Sequence, residues 1–347
     1  MMDSLVLTVS PLIYKTDILF GLDSIISVCH SFSKRGVIFV DVDIEETWGR
    51  KLQKELQFEL ISVPKHKTRE AKQALEDELF KLNLGRDSVI VAMGGGTTTD
   101  LVAFLASTYM RGVPLILIPT TLLAMVDACI GGKTAVDTPF GKNLVGTFYL
   151  PKAIFIDTCF LKTLPIKEIK NGLSEILKYG LIQESGLWEQ AVDWETHIES
   201  LIRASIQCKI NVVSQDFEEK TGLRRILNFG HTVAHALELI FHFEMSHGEA
   251  VAIGCMAECI LSHKAGYLPK SSLDQILNRY RTLGVKLKKF DSKAFLDALK
   301  QDKKTKNGHP RFVLIDRIGH CLPFNGEYCT TVNPDDLNQM IEEIKHD

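Results

Sequence analysis

Four short, continuous apolar runs punctuate the first half of the chain. Gly36-Val-Ile-Phe-Val40 ends at Asp41, and Ser88-Val-Ile-Val-Ala-Met93 runs into Gly94-Gly95-Gly96. Leu115-Ile-Leu-Ile118 ends at Pro119-Thr120-Thr121, and Ala153-Ile-Phe-Ile156 ends at Asp157. Runs rich in β-branched residues, with no polar alternation, predict strands buried on both faces, hence a parallel sheet with helical crossovers. From about Leu161 the period becomes helical. Pro165-Ile-Lys-Glu opens one helix, and Ile198, Leu201, Ile202 and Ile206 stripe another. Lys209 continues that stripe, so its ammonium either snorkels to the surface, the commoner outcome, or points into a cleft. The composition changes without a Gly/Ser linker. The pattern therefore predicts two packed domains: an α/β domain with a Rossmann-like parallel sheet over residues 1–160 and a mainly α-helical domain over 161–347.

Within the helical half, Arg224, Asn228, His231 and His235 are spaced four, three and four apart, which predicts one shared helix face. Leu227, Val233, Ala234, Leu237, Ile240 and Phe241 form the opposite, core face. A solvated face is expected to carry Glu and Lys; imidazoles beside an amide and a guanidinium suit a metal and an anion. The alternative is a polar helix face with core or interface histidines. Ser246-His247-Gly248-Glu249 adds a third histidine at the expected start of another helix. The segment from Asp302 to His309 reads as a mobile loop.

The chain has 347 residues, 45% of them hydrophobic, and a formal charge of −3, which provides no electrostatic case for nucleic acid. Cysteines at 29, 129, 159, 208, 255, 259, 321 and 329 form no C-x-x-C pair and read as reduced, buried small hydrophobes. No segment has membrane-spanning length without charge, and Met1-Met2-Asp3-Ser4-Leu5 lacks the pattern of a signal peptide. The expectation is a cytoplasmic protein without membrane or nucleic-acid partners.

The residues after the strands carry the candidate chemistry. Gly94-Gly95-Gly96-Thr97-Thr98-Thr99-Asp100 joins a strand to a helix; such a loop brings backbone N–H groups up to a pyrophosphate, or is simply a tight turn. Asp41 sits where an acid binds ribose hydroxyls, favouring NAD over NADP. Thr120 and Thr121 offer hydroxyls to the same ligand. Asp127, Gly131-Gly132-Lys133 and Gly141-Lys142-Asn143 suit a phosphorylated or carboxylated ligand, the alternative being solvated lysines on a glycine-rich loop. Glu175 and Lys178 share a helix face, as a surface ion pair or with Glu175 completing a carboxylate-and-imidazole metal site.

Nine segments in order complete the pattern: Gly94–Asp100, Tyr109-Met-Arg111-Gly, Pro119–Asp127, Gly131–Lys133, Lys142-Asn143, Leu161-Lys-Thr163-Leu-Pro, Glu175–Lys178, Leu227–His235 and His247–Glu249. Together they resemble the 3-dehydroquinate synthase family of sugar-phosphate cyclases. The resemblance implies an active site in a cleft between the two domains. It implies Glu175, His231 and His247 as ligands to one zinc or cobalt ion, with His235 as an acid/base group instead of a ligand. It implies Asp127, Lys178 and Lys209 at the substrate hydroxyls. Lys133, Asn143, Arg224, Asn228 and one of Lys303 and Lys304, for which we take Lys304, would hold carboxylate and phosphate. NAD would meet Asp41, Lys72, Gly95, Gly96, Asp100, Thr120, Thr121, Lys133, Lys142, Phe160 and Thr163. Arg111 would reach the substrate phosphate of a neighbouring subunit in a homodimer. The implied reaction converts 3-deoxy-D-arabino-heptulosonate 7-phosphate into 3-dehydroquinate and phosphate, a step of the shikimate pathway to chorismate and the aromatic amino acids.

Three segments depart from the family pattern. Thr97-Thr98-Thr99 replaces V-x-G before Asp100. Lys72 matches the lysine of G-E-x-x-K, but Arg69 stands where the glutamate belongs. Between Asp216 and Gly222 the chain is one residue longer, so neither Glu218 nor Glu219 aligns. Two rival functions keep the metal and the nucleotide: another sugar-phosphate cyclase, and a metal-dependent polyol dehydrogenase.

Overall fold

The computed structural model describes residues 3–9, 14–286, 288–300 and 309–345. The chain divides into two compact units, Met1–Ile169 and Lys170–Asp347.

The first unit is built on a seven-stranded sheet. Its strands are β1 (Ser4–Val9), β2 (Tyr14–Phe20), β3 (Gly36–Asp41), β4 (Glu59–Val63), β5 (Val89–Gly94), β6 (Leu115–Pro119) and β9 (Ala153–Ile156), with β7 (Val136–Thr138) and β8 (Gly141–Val145) forming a separate hairpin. The order across the sheet is β1-β2-β9-β6-β5-β3-β4. Every pair from β2 to β4 is parallel, and only β1 runs antiparallel, against β2. The four expected strands are β3, β5, β6 and β9, the buried centre of this sheet. The chain passes from β3 outward to β4, then returns to the other side of β3 with β5. Their carboxyl ends thus flank a topological switch point, where open α/β sheets bind ligands. Helices α1 (Ile25–Phe32), α2 (Arg50–Leu56), α3 (Arg69–Lys81) and α4 (Gly96–Thr108) make the connections.

The second unit is helical: α5 (Ile166–Ile182, whose first turn belongs to the first unit), α6 (Ser185–Gln190), α7 (Trp194–Val213), α8 (His231–Ile240), α9 (His247–Lys264), α10 (Lys270–Thr282), α11 (Ser292–Lys300) and α12 (Pro334–Lys345). A small hairpin, Ile315–Arg317 with His320–Cys321, accompanies them. Helix α9 is buried on all sides from Ala250 to Ser262 and packs against α8, α10 and α12. A helix apolar all round belongs at the centre of its unit. None of the helices among the described residues is long and apolar enough to cross a membrane.

The expected single helix face over Arg224–His235 does not form. Arg224 and Asn228 lie on a 3-10 turn, Leu223–Asn228, and α8 starts only at His231. Gly230 breaks the helix between them with φ +78, a left-handed conformation that glycine adopts without steric cost. It also lets two backbones touch. A Cβ on Gly254 of α9 would stand 1.9 Å from the Gly230 carbonyl oxygen, and one on Gly230 would stand 2.7 Å from the Cys255 nitrogen. The eight cysteines are all unbonded, seven buried and Cys159 partly so.

Gly254→Ala is therefore expected to destabilise the chain by about 2–3 kcal/mol, because a rigid backbone contact cannot yield to an added methyl. Equilibrium unfolding in urea measures it; a midpoint equal to that of the parent would show that the backbones do not need this approach.

Candidate metal centre and nucleotide-binding edge

Three helices of the second unit converge on one carboxylate. Glu175, in the middle of α5, is completely buried. Its Oε1 lies 3.5 Å from His231 Nε2 at the start of α8 and 3.6 Å from His247 Nε2 at the start of α9. Its Oε2 is paired with the Lys178 ammonium, one turn along α5 and equally buried. The expected alternative of a surface ion pair is thus overturned: the Glu175–Lys178 pair sits in the core. Lys178 also donates to the Leu227 carbonyl at 2.8 Å, tying α5 to the 3-10 turn that carries Arg224 and Asn228.

Local chemistry aims the ligands. The His231 Nδ1 lies 3.1 Å from the Phe229 carbonyl, which can only accept, so Nδ1 carries the proton and Nε2 turns its lone pair to Glu175. The His247 Nδ1 faces Glu238 Oε1 at 3.5 Å. A carboxylate behind a ligand imidazole orients the ring and raises its basicity. Ser246 caps α9 through the Glu249 N–H, and Gly248 abuts α5: a Cβ there would stand 2.3 Å from Asn171 Cα. The glycine of His247-Gly248-Glu249 thus brings His247 within reach of Glu175.

The cage fits a divalent cation. The three ligand atoms lie within 4.8 Å of one another, and neither Glu175 oxygen has a well-aligned hydrogen-bond donor. A lone pair pointed at a carboxylate oxygen is repulsive unless positive charge lies between them. Tetrahedral zinc with bonds of about 2.0–2.1 Å holds its ligands about 3.3 Å apart, close to the separations seen here. Burial opposes charge on His247, yet Glu175 and Glu238 outweigh it and push the pKa up to about 9. The pocket strongly favours positive charge.

His235 lies one turn beyond His231, exposed, with ring centroids 5.7 Å apart, and does not join the three-residue cluster. Lys209 on α7 is buried at 7% exposure, which rules out snorkelling. Arg224 is buried at 2%. Its guanidinium donates to the Phe217 carbonyl and its backbone N–H to Asp216 at 2.9 Å. Asp216 was not singled out from sequence. It accepts backbone N–H groups of Lys220, Thr221 and Arg224; burial works to raise its pKa, but these bonds win and hold it below the usual range. Asn228 donates to Glu219 at 3.3 Å, so Glu219 of that longer loop reaches the 3-10 turn. Lys303 and Lys304 lie outside the described residues, as does most of the 302–309 segment.

In the first unit, Asp41, Gly94 and Pro119 end three neighbouring strands, β3, β5 and β6, on one edge of the sheet. Gly95 caps α4 without a side chain, leaving the first-turn N–H groups for an anion. Gly94 has no room for a side chain: a Cβ would meet Thr98 at 2.7 Å. Asp41 accepts from the Thr98 hydroxyl at 3.2 Å and from the Asp43 N–H at 3.0 Å, linking the two sides of the switch point. Thr120 is buried behind Gly94, and Thr121 caps the π-helical turn Ala124–Ala128 that carries Asp127. Gly131 and Gly132 (φ +100 and +69) turn the chain to Lys133, which is exposed. Lys142 and Asn143 fall on strand β8, whereas the sequence suggested a turn. Lys72 is paired with Glu76 at 2.6 Å. Phe160 is buried against Trp48, with ring centroids 4.8 Å apart, and Thr163 is exposed at the end of the same 3-10 turn. Arg111 is exposed just before β6, at the opposite edge of the sheet from Gly94.

Replacing His231 by Ala should abolish stoichiometric metal binding, whereas His235→Ala should retain about one metal ion per chain, as a three-ligand site requires. Elemental analysis after dialysis reads this directly; metal lost from the His235 variant alone would reverse the assignment.

Comparison with known proteins accords with this geometry. Family models described as the N-terminal and C-terminal parts of 3-dehydroquinate synthase match residues 57–171 and 172–305. The 3-dehydroquinate synthase of Rippkaea orientalis is 41% identical over 271 residues, 74% of this chain and 74% of that protein. Among solved structures, 2-epi-5-epi-valiolone synthase from Streptomyces hygroscopicus, with NAD+ and Zn2+ bound, superposes with a TM-score of 0.86 at 26% identity, covering 97% of this chain and 98% of that one. A 2-deoxy-scyllo-inosose synthase complexed with carbaglucose-6-phosphate, NAD+ and Co2+ has the same fold, with a TM-score of 0.86, 24% identity, and 98% and 100% covered. Matched by both family models over residues 57–305 and by a relative 41% identical over 74% of its length, this chain belongs to the 3-dehydroquinate synthase family.

Proposed function

We propose that this chain converts 3-deoxy-D-arabino-heptulosonate 7-phosphate into 3-dehydroquinate and phosphate, as an NAD- and metal-dependent carbon–oxygen lyase. The observation that carries the reading is the Glu175–His231–His247 cage, closed around a buried carboxylate, in a member of this family. The NAD+ with Zn2+ or Co2+ in the two cyclase structures supports the same pair of cofactors here. When bound, the cation would polarise substrate oxygens, and NAD would take up a hydride and return it within one turnover.

The side chains then have separable tasks. Glu175, His231 and His247 hold the cation. Asp127, Lys178 and Lys209 bind the substrate hydroxyls; Lys178 and Lys209 are buried, so their donors act where water does not compete. Arg224 and Asn228 grip oxyanions of the substrate from one rigid turn, together with Lys133, Asn143 and Lys304. The loop ordered by Asp216 holds Arg224 at both backbone and guanidinium. His235, outside the cage, moves protons at the substrate. On the nucleotide side, Asp41, Lys72, Gly95, Gly96, Asp100, Thr120, Thr121, Lys133, Lys142, Phe160 and Thr163 form the NAD contact set. The division into domains at residues 160 and 161, the cytoplasmic setting and the homodimer belong to the same proposal.

The test is a single reaction with the heptulosonate phosphate and substoichiometric NAD, measuring phosphate and NADH together. Phosphate should accumulate well beyond the NAD supplied while NADH stays flat. NADH rising in step with product would instead establish a dehydrogenase.

Arg111 is set at the far sheet edge by three consecutive residues with positive φ, Met110, Arg111 and Gly112. That placement supports the reading in which it serves a neighbouring subunit. Mixing inactive Arg111→Ala chains with inactive Lys178→Ala chains should restore partial activity, because a mixed dimer regains one intact site. Verified subunit exchange with no recovered activity would contradict the arrangement.

A further inference from the structure

One carboxylate in the second unit gathers guanidinium groups from two distant segments. Glu327 Oε2 accepts from Arg311 Nη1 and Nη2, at 3.1 Å each, and from Arg225 Nη1. Arg225 Nη1 also donates to the Glu327 carbonyl at 3.2 Å. Arg225 lies in the 3-10 turn Leu223–Asn228, between Arg224 and Asn228. Just before that turn, Gly222 (φ +96) sits against the Gly326 carbonyl: a Cβ there would stand 2.5 Å from the oxygen. Arg311 reaches the metal-cage helix α8 as well. Its carbonyl accepts the Thr232 hydroxyl at 3.0 Å, one residue after His231.

The loop that presents Glu327 is held in an unfavourable shape. Phe324, Asn325 and Tyr328 have φ of 40, 57 and 51, a left-handed region that residues with a Cβ generally avoid. Such backbone persists only where its surroundings over-determine it. Here the Phe324 ring packs edge-on against Tyr267, with centroids 5.9 Å apart, and the two arginines hold Glu327. Hydrogen bonds from Arg311 and then Arg225 keep its carboxyl below the usual carboxylate range, so it is anionic at neutral pH.

We infer that Glu327 is a positioning residue: by holding Arg225 it fixes the turn that aims Arg224 and Asn228 at the substrate's oxyanions. The inference rests on the proposed assignment of those two residues to the substrate. A 3-10 turn has poorer hydrogen-bond geometry than an α-helix, so outside attachments do much to set its direction. Asp216 supplies one, through the Arg224 N–H, and Glu327 supplies another, through Arg225. No motif marks Glu327 in the sequence, because its partners are 16 and 102 positions away.

The test uses the full, metal-loaded chain and compares parent, Glu327→Gln, Arg225→Met, Arg225→Lys and the Glu327→Gln/Arg225→Met double variant. Phosphate release from the heptulosonate phosphate gives KM and kcat, and mass spectrometry follows hydrogen exchange over residues 222–229. Loss of the charge-assisted bonds should raise KM about threefold to tenfold in Glu327→Gln and Arg225→Met, with kcat and metal content close to the parent's. Arg225→Lys should recover part of the loss. The double variant should be little worse than either single one, since both remove the same attachment. Exchange over 222–229 should quicken in Glu327→Gln while the α9 core keeps its protection. A parent-like KM or unchanged exchange in Glu327→Gln, or a loss of metal together with kcat, would overturn the inference. A parent that releases no phosphate would overturn the proposed function and the substrate half of this inference, with exchange still deciding whether Glu327 holds the turn.

Discussion

Completely burying an anionic carboxylate is costly unless positive charge comes with it, and the second unit is organised around doing so for Glu175. One oxygen has the Lys178 ammonium; the other faces two imidazole nitrogens with no donor between. The pair is weak evidence for stability, because desolvating two ions offsets most of their attraction. It is stronger evidence for function: a carboxylate committed on one side and open on the other is half of a cation site. His247, pushed toward its charged form by Glu175 and Glu238, reports the same electrostatic demand.

That cage can close only if three helices approach unusually near one another. Gly248 seats the start of α9 on α5 at Asn171, and Gly254 seats its middle on Gly230. Both contacts are backbone to backbone, so the distances among the ligands are set by rigid elements and not by flexible side chains. The glycines beside His231 and His247 in the sequence are therefore geometric parts of the cage. An analogous economy operates at the sheet edge, where Gly94 packs on Thr98 and Thr98 hydrogen-bonds to Asp41. The groups proposed to bind the nucleotide there stand on strand ends and a helix terminus, which gives them little freedom to lose when a ligand arrives.

Much of this was legible in the sequence wherever the signal was local. Strands β3, β5, β6 and β9 are continuous apolar runs because both of their faces are covered. Strand β4, Glu59–Val63, parallel beside β3, was missed because it lies at the sheet edge and only Val63 is buried. The β1–β2 and β7–β8 hairpins were missed because a pairing partner, and not an apolar run, defines them. Spacing placed Arg224 and Asn228 on the helix of His231, and the structure separates them. The Asn228-Phe229-Gly230 sequence held the warning, since glycine ends helices in the left-handed conformation found here. The ligand trio came from motif resemblance, because Glu175 is 56 positions from His231 and no period links them. Asp216 and Glu238 act through contacts that only the fold creates.

The most direct test of the central claim is X-ray absorption at the metal edge of the purified, zinc- or cobalt-loaded chain. The cage predicts a shell of nitrogen and oxygen at about 2.0–2.1 Å with the multiple scattering of two imidazoles and no sulfur. A sulfur shell at about 2.3 Å, or no imidazole signature, would place the ion elsewhere and contradict the account.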